Sequence, residues 1–255
     1  MMRWAFLFFM VASSAPALGD ASEAFRLYAD GKYEEAIKAG LAQNDAPGFS
    51  AAARAALAEE ASREAPCLDC LEQAESFARR AIAADPKLPD GQIYLAISLG
   101  LESRIRGPII ARLHNYPGQA KEALDRALVD DPKNPWAMAS LGGWNIEIVR
   151  NAGGGLAELF YGASIEKGLD FFQQSFKAAP DNISVRYQCA LSLSTFDAER
   201  FHSQIADALN QVVTGKGDTV YSRLVQKRAG ELLELLKKGD SAAYLARVRK
   251  FEGYP

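Results

Sequence analysis

The pattern of apolar and polar positions is clearest near the middle of the chain, where it predicts two helices joined by a tight turn. Apolar side chains recur every three or four residues in the stretch 119–129, which is the spacing of one helix face. Pro132 cannot extend that helix and therefore ends it. Asn134 and Pro135 favour the start of a second helix, with Asn134 as its N-cap and Pro135 in its first turn. The small Gly142 is expected to let the second helix lie close against the first.

The same alternation of amphipathic helix and proline turn extends over most of the chain. Pro86, Pro132 and Pro180 each lie between two such helices, at separations of 46 residues (132 − 86) and 48 residues (180 − 132). No segment alternates apolar and polar residues for long enough to predict a strand, so the predicted fold class is all-α. The predicted helices cover residues 20–29, 33–43, about 48–62, 71–83, 88–102, 119–129, 135–150, 165–178, 183–194, 199–213, 219–236 and 241–251.

These helices divide the chain into a repeat region and a C-terminal region. Residues 20–213 are expected to form about five helical pairs, with insertions at about 103–118 and 151–164 between the two helices of a pair. Residues 214–255 follow a glycine-containing break and are expected to supply capping helices, which cover the apolar end of the array. The sequence thus predicts an α-solenoid of stacked helical pairs.

The pairs resemble tetratricopeptide repeats. In the segment DGKYEEAIKAG, the residues Gly31, Tyr33 and Ala36 stand at the family's positions, and the resemblance covers about residues 21–213. The family repeat is about 34 residues long, and the two insertions make up most of the excess in this chain. The resemblance implies a solenoid that acts by binding, so we expect no enzymatic activity.

A second resemblance covers about residues 116–194, which look like the helical repeat domain of the regulator of microtubule dynamics proteins. In that domain, too, a long insertion follows an LGxW-type helix, here the segment from Leu141 to Trp144. This resemblance implies a shared repeat geometry and not a shared partner.

In the tetratricopeptide family the first helix of each repeat lines a concave groove, and the resemblance implies a partner-binding groove here. The corresponding positions are Asp90, Ile93, Ile97, Trp136, Ala139, Gly143, Ile146, Glu147, Tyr187, Leu191 and Ser194. This set is mostly apolar, and an apolar groove in water must be covered. Either the two insertions fold over it, or an apolar segment of a partner docks there, anchored by Trp136 and Tyr187.

Two hypotheses of function follow from this groove. In the first, the protein is a non-enzymatic interaction module or scaffold in the cell envelope, which binds a segment of a partner protein. In the second, it is an accessory protein for solute uptake, which binds a small apolar ligand or lipid in a cavity under the insertions.

The net charge of the chain argues against nucleic-acid binding. The chain has 29 basic and 32 acidic residues and a formal net charge of −3, which creates no attractive field for nucleic acid. Locally, the first insertion is basic because it contains Arg104, Arg106, Arg112 and His114. This segment either pairs with nearby acidic residues or receives an anionic partner.

The first 19 residues have the pattern of a secretory signal peptide. A basic Arg3 precedes an apolar run, and small residues lead to a cleavage site near Gly19 and Asp20. An uncleaved N-terminal anchor is the alternative. No later segment approaches the ~20 apolar residues that cross a bilayer, so we expect an exported, soluble protein, periplasmic in a Gram-negative source.

The cysteines fit an oxidising compartment. Cys67 and Cys70 form a CxxC pair, which is interpreted as a local disulfide, with a redox-active pair or two inert thiols as alternatives. No second CxxC or histidine pair completes a zinc site, so no metal or other cofactor is predicted. Cys189 stands on an apolar helix face and is expected to be a buried small hydrophobic residue.

The remaining polar motifs do not form a catalytic site. His114 and His202 are the two histidines, and neither has a neighbour at metal-ligand spacing. The glycine run 153–155 lacks the following Gly-Lys-Ser/Thr of a phosphate-binding loop, so a hinge is the better interpretation.

Overall fold

A computed structural model describes residues 19–255, which fold into fourteen α-helices and contain no strand. The all-α prediction is confirmed. The predicted signal peptide lies outside the described residues except for Gly19, where the first helix begins. The helices are α1 Gly19–Ala29, α2 Tyr33–Gln43, α3 Ala46–Ala61, α4 Leu68–Ala84, α5 Pro89–Arg106, α6 Pro108–Leu113, α7 Tyr116–Asp130, α8 Pro135–Ala152, α9 Gly154–Tyr161, α10 Ile165–Ala178, α11 Ile183–Asp197, α12 His202–Thr214, α13 Val220–Lys238 and α14 Ser241–Phe251.

The proline turns lie where the sequence predicts them. Pro86 separates α4 from α5, Pro132 separates α7 from α8, and Pro180 separates α10 from α11. Asn134 caps α8, because its Oδ1 atom accepts hydrogen bonds of 3.0 and 3.1 Å from two backbone N–H groups of the first turn. Local chemistry therefore sets these helix boundaries.

Five helical pairs stack in chain order: α1–α2, α3–α4, α5–α7, α8–α10 and α11–α12. The two helices of each pair contact each other, and the second helix contacts the first helix of the next pair. In addition, the first helices form their own row, since α1 contacts α3, α3 contacts α5, α5 contacts α8, and α8 contacts α11. We call the surface made by α5, α8 and α11 the first-helix face.

Within the fourth pair, α8 and α10 run antiparallel. Ser175 Oγ near the end of α10 donates a 2.7 Å hydrogen bond to the carbonyl of Pro135 at the start of α8. At the other end of the pair, the backbone N–H of Ser164 donates a 3.3 Å hydrogen bond to Asn145 Oδ1. Hydrogen bonds at both ends therefore fix the register of this pair.

Gly142 allows a close helix contact, but the predicted neighbour is wrong. A Cβ atom at this position would lie 2.8 Å from a ring carbon of Phe172, so Gly142 faces α10 and not the preceding helix α7. The buried α8 residues that pack in the cluster with α7 are Ala137 and Leu141. Positions 141 and 142 point about 100° apart around a helix, so adjacent residues serve different neighbours.

The two insertions are built in the same way. α5 runs on to Arg106 and α8 runs on to Ala152, so both insertions begin inside a helix that is longer than predicted. Each helix then ends at a glycine with positive φ, Gly107 at 82° and Gly153 at 77°, which L-residues with a side chain rarely adopt. A short helix follows in both cases, α6 in the first insertion and α9 in the second.

The C-terminal helices do more than cover the last pair. α13 contacts α12 and α11 but also α1, and α14 contacts α13 and α11. Arg228 in α13 donates a 2.6 Å hydrogen bond to the carbonyl of Ala61, and Lys250 in α14 lies 2.6 Å from a carboxylate oxygen of Glu64. These helices therefore connect the end of the array to its beginning. Within residues 19–255, none of the helices is both long enough and apolar enough to cross a membrane.

Candidate ligand cleft between the insertions

The C-terminal segment of the chain covers part of the predicted groove. The hydroxyl oxygens of Ser194 in α11 and Tyr244 in α14 lie 2.6 Å apart, and Arg104 in α5 donates a 2.8 Å hydrogen bond to the carbonyl of Glu252. Among the predicted groove residues, Ile93, Ala139, Gly143, Ile146, Tyr187, Leu191 and Ser194 are buried, whereas Ile97, Trp136 and Glu147 are half-buried and Asp90 is exposed. The cover over Ser194 is thus α14, which neither sequence hypothesis included.

The two aromatic residues expected to anchor a partner take part in internal packing. Trp136 is half-buried where two core clusters meet, and Tyr187 is only 5% exposed. Burial also raises the pKa of the Tyr187 hydroxyl well above its ordinary value. Neither ring is presented to a partner on this face.

The structure instead has a cleft between the two insertions. It encloses about 490 Å³ and is lined by residues of α5, α6, α7, α8 and α9 together with Tyr254. Three apolar residues of the short helices stand at its opening, and we call them the lips of the cleft: Ile109 is 82% exposed, Leu156 55% and Phe160 67%. The equivalent glycine turns after α5 and α8 bring these two short helices to the same cavity.

One wall of the cleft is aromatic. Trp144 lines it and is held in place by a 2.9 Å hydrogen bond from its Nε1 to the carbonyl of Pro117. The ring of Tyr161 meets Trp144 edge to face at a centroid distance of 6.3 Å. The satisfied indole N–H leaves the ring system as an apolar surface of the cavity.

The opposite part of the lining is polar and belongs to one network. Arg104 makes a bidentate pair with Glu147, with contacts of 2.8 and 3.3 Å. Arg150 lies 3.5 Å from Glu147, and it donates a hydrogen bond to the hydroxyl of Tyr254. That hydroxyl in turn donates to Glu147 at 3.2 Å. The network joins α5, α8 and the tail after α14.

Burial and charge act in opposite directions within this network. Burial disfavours the charged form of Arg104, but the carboxylates of Glu147 and Glu252 outweigh burial and raise its pKa. Burial likewise opposes ionisation of Glu147, yet Arg104 and Arg150 lower its pKa. At Glu252 burial outweighs the opposing charges of Arg104 and Arg150 and raises the pKa of the carboxyl group to about 7. Arg104 and Glu147 therefore form a charged pair beneath a carboxyl group that is easily protonated.

The four residues of the predicted basic insertion do not act as one loop. Arg104 and Arg106 belong to the last turn of α5, and Arg106 is paired with Glu72. His114 follows α6, is exposed, and has its ring centroid 5.6 Å from that of Tyr116. Arg112, by contrast, is exposed and lines the cleft. Pairing with acidic residues thus accounts for Arg104 and Arg106, while Arg112 faces the candidate site.

The CxxC pair is joined by a disulfide bond. The sequence interpretation placed it in a loop before the helix, but Cys67 is the N-cap of α4 and Cys70 lies in the first turn. Cys189 is buried, and burial raises the pKa of its thiol to about 12. The prediction that Cys189 is a small core residue is confirmed.

One sequence hypothesis placed a small-ligand cavity under the insertions, but the predicted site residues did not include the lips of the cleft. A signal was present, since the insertion motifs GPII and LAELFYG carry large apolar residues in segments too short to bury them. Tyr254 gave no signal, because its contact with Glu147 joins positions 107 residues apart. Comparison of the chain with protein-family models and with curated proteins finds no match.

Proposed function

We propose that the cleft between α6 and α9 is a non-enzymatic binding site that holds a small amphiphile with an apolar body and one anionic end. The observation that carries the proposal is a cavity of about 490 Å³ whose apolar lips, Ile109, Leu156 and Phe160, face solvent. Cavities of ~300–1,000 Å³ with mostly apolar walls and a few polar groups are typical of small-molecule sites.

The apolar lips supply the driving force. Fully burying a large aliphatic or aromatic side chain is worth about 1.5–3 kcal/mol, and the lips obtain only part of this free energy until a ligand covers them. An alkyl or aromatic body placed between Leu156 and Phe160 would remove both from water together with its own surface. The aromatic wall at Trp144 extends the same apolar path inward.

The charges of the lining support an anionic end. Arg104, Arg112 and Arg150 line the cleft against the single carboxylate of Glu147, which leaves two positive charges in excess (3 − 1 = 2). Arg104 and Arg150 already share Glu147. Arg112 forms no ion pair among the side chains described for residues 23–255, so its guanidinium is the one available to a carboxylate or phosphate.

The covered first-helix face supports a small ligand over a docked peptide. A peptide in the groove would need the space that Tyr244 of α14 occupies at Ser194 and that Glu252, which follows α14, occupies at Arg104. The cleft lies at the edge of that face, and of the predicted groove residues only Glu147 lines it. We also propose that the chain is of the tetratricopeptide class, which the row of contacting first helices supports. We further propose that it is exported, which the disulfide supports because disulfides persist in oxidising compartments.

The test uses two ligands that differ only at the polar end, dodecanoate and 1-dodecanol, each below its aggregation limit. Binding to the full chain is followed by calorimetry and by tryptophan fluorescence, since Trp144 lines the cleft. We expect dodecanoate to bind more tightly than dodecanol, and the Arg112→Gln variant to remove that preference. Equal affinity of both ligands for the wild type would contradict an anionic end.

Adjacent residues of α9 provide a matched pair of variants. Phe160 lines the cleft and is 67% exposed, whereas Leu159 is 73% exposed and does not line it. Phe160→Ala removes a side chain worth about 1.5–3 kcal/mol on burial, so dodecanoate affinity should fall by about tenfold or more. Leu159→Ala should leave it unchanged. Equal effects of the two changes, or no binding by the wild type, would overturn the proposal.

A protein partner is the second candidate, and one observation favours it. Leu113 in α6 and Leu159 in α9 are 76% and 73% exposed and lie outside the cleft lining, so they add apolar surface that a small ligand would not cover. A partner segment laid across both short helices would bury them. Crosslinking in the source cell envelope should then capture one protein, and Leu159→Ala should abolish the capture.

A further inference from the structure

A separate site lies at the start of α4, where the disulfide adjoins a buried carboxyl group. Glu60, near the end of α3, is 8% exposed. One of its carboxylate oxygens and the sulfur atoms of Cys67 and Cys70 all lie within 4.8 Å of one another. Two elements of the second helical pair, α3 and α4, therefore bring an acid–base group to a disulfide.

The carboxyl group of Glu60 is only partly satisfied. Its Oε1 atom accepts a 3.3 Å hydrogen bond from the backbone N–H of Cys67. Its Oε2 atom is buried and has no hydrogen-bond partner among the described residues, since Arg63 Nε lies 3.9 Å away. Burying a polar atom without a partner costs free energy, and an apolar side chain would fill this space without that cost. The presence of a buried carboxyl group at this position is therefore explained better by a chemical role at the two sulfur atoms than by a contribution to the stability of the fold.

The two sulfurs are not equivalent. Cys67 Sγ accepts a 3.3 Å hydrogen bond from the backbone N–H of Cys70, at the N-terminus of the 17-residue helix α4. Both the hydrogen bond and the positive end of the helix dipole stabilise a thiolate on Cys67. Cys67 is therefore the sulfur that can leave or attack as a thiolate, whereas Cys70 needs a proton when it is released.

We propose that Cys67, Cys70 and Glu60 form a thiol–disulfide exchange site that oxidises a dithiol of another protein, with Glu60 carrying the proton for Cys70. In the first step a thiolate of the partner dithiol attacks Cys67 Sγ. The bond between the two cysteines breaks, a mixed disulfide forms on Cys67, and the electron pair leaves on Cys70. Protonated Glu60 then gives its proton to the Cys70 thiolate.

The second step completes a two-electron exchange. The other thiol of the partner loses its proton to the Glu60 carboxylate and attacks the partner's own sulfur in the mixed disulfide. The Cys67 thiolate leaves, where the N–H of Cys70 stabilises it. The partner dithiol is oxidised to a disulfide, and the CxxC pair of this chain is reduced to one thiol and one thiolate.

The protonation of Glu60 is consistent with this role. Burial raises the pKa of its carboxyl group, while the backbone N–H of Cys67 and the charge of Arg63 oppose the rise. A raised pKa keeps a larger fraction of the carboxyl group protonated and able to act as the acid.

The experiment measures reduction of the disulfide in the full chain by excess dithiothreitol, followed by thiol alkylation and mass analysis over a range of pH. Glu59→Gln is the matched control for Glu60→Gln, since Glu59 lies on the same helix and pairs with the same Arg63 at 3.2 Å. General acid catalysis contributes ~10²–10⁴-fold, so Glu60→Gln should slow reduction by at least about tenfold and remove an inflection in the pH profile. Glu59→Gln should change neither. Equal rates for both variants would overturn the proposal.

Trapping variants test which sulfur is attacked. With oxidised glutathione as the probe, the Cys67 thiolate of Cys70→Ser should attack the probe disulfide, form a mixed disulfide and release one glutathione, while Cys67→Ser should not accumulate a mixed disulfide on Cys70. Circular dichroism must show that both variants fold. Failure of the reduced wild-type chain to be reoxidised by oxidised glutathione would overturn the proposal. A metal site is the alternative. It would be indicated if the reduced chain binds one Zn²⁺ only when Glu60 is present, while Glu60→Gln leaves the exchange rate unchanged. That pair of results would also overturn the proposal.

Discussion

The hydroxyl of Tyr254 donates a 3.2 Å hydrogen bond to Glu147, and this contact joins the tail of the chain to the middle of α8. Glu147 also holds Arg104 and lies near Arg150, so one carboxylate coordinates three partners at the polar end of the cleft. The tail is thus a part of the candidate site. Its removal should change both the stability of the fold and the shape of the cavity.

The first prediction concerns the hydroxyl of Tyr254. Tyr254→Phe removes a donor to Glu147 and an acceptor for Arg150, so the free energy of unfolding should fall by about 1 kcal/mol. Chemical denaturation of the full chain measures this difference. Tyr161→Phe is the control, because the Tyr161 hydroxyl makes no hydrogen bond within residues 23–255. A fall no larger than that of the control would show that the tail is not held by this bond.

The second prediction contrasts two ion pairs. Arg104 is 11% exposed and pairs with Glu147, whereas Arg126 is 63% exposed and pairs with Glu122. Arg104→Met leaves a half-buried carboxylate without its strongest partner and should lower the free energy of unfolding by about 3–5 kcal/mol. Arg126→Met should change it by less than about 0.5 kcal/mol. Similar effects in the two variants, measured by urea unfolding, would contradict the buried network.

The third prediction tests the contact between α8 and α10. A Cβ atom at Gly142 would lie 2.8 Å from the ring of Phe172, so Gly142→Ala should destabilise the fold by about 1–3 kcal/mol. Gly230→Ala meets nothing within 4 Å and should stabilise it by up to about 1 kcal/mol through helix propensity. Adding Phe172→Leu to Gly142→Ala should recover part of the loss if the clash is its cause. Thermal unfolding distinguishes these outcomes.

The fourth prediction is a pH dependence of stability. Burial raises the pKa of Glu252 to about 7 in the folded chain, above its ordinary value of 4.5. The folded state therefore binds a proton that the unfolded state has released, and the stability contribution of this group is lost as the pH rises from about 4.5 through 7. Glu252→Gln should flatten the fall in stability between pH 5 and 7.

The control for this pH dependence is Glu158→Gln, which changes an exposed carboxylate of α9. Its curve of unfolding free energy against pH should follow that of the wild type. If Glu252→Gln and the wild type have the same slope between pH 5 and 7, the buried carboxyl group is not the cause of the dependence.

Much of the fold could be predicted from local chemistry. The residues Pro86, Pro132 and Pro180 predict the turns because a proline acts on its own helix, and the bounds of α2, α10 and α14 agree with the prediction to the residue. The short helices α6 and α9 were not predicted, since six to eight residues carry too little periodicity to define a helix face.

The candidate site depended on contacts that sequence patterns do not contain. The resemblance to repeat proteins directed attention to the first helices, but it gave no reason to place α14 over them. That placement rests on contacts such as Ser194 with Tyr244, 50 residues apart. The sequence pattern alone therefore favoured a partner in the groove. Tertiary packing, which covers part of that groove, favours the cleft between the insertions instead.

The closure made by α13 restricts the number of helical pairs that this array can contain. Open solenoids gain or lose a repeat without harm, because every unit needs only its neighbours. Here α13 reaches from α12 to α1, and Arg228 bonds to Ala61, so its length must match the distance between the two ends. Deleting or duplicating one pair would leave the bridge too long or too short. The number of pairs is thereby held constant, and unfolding should involve the whole chain at once.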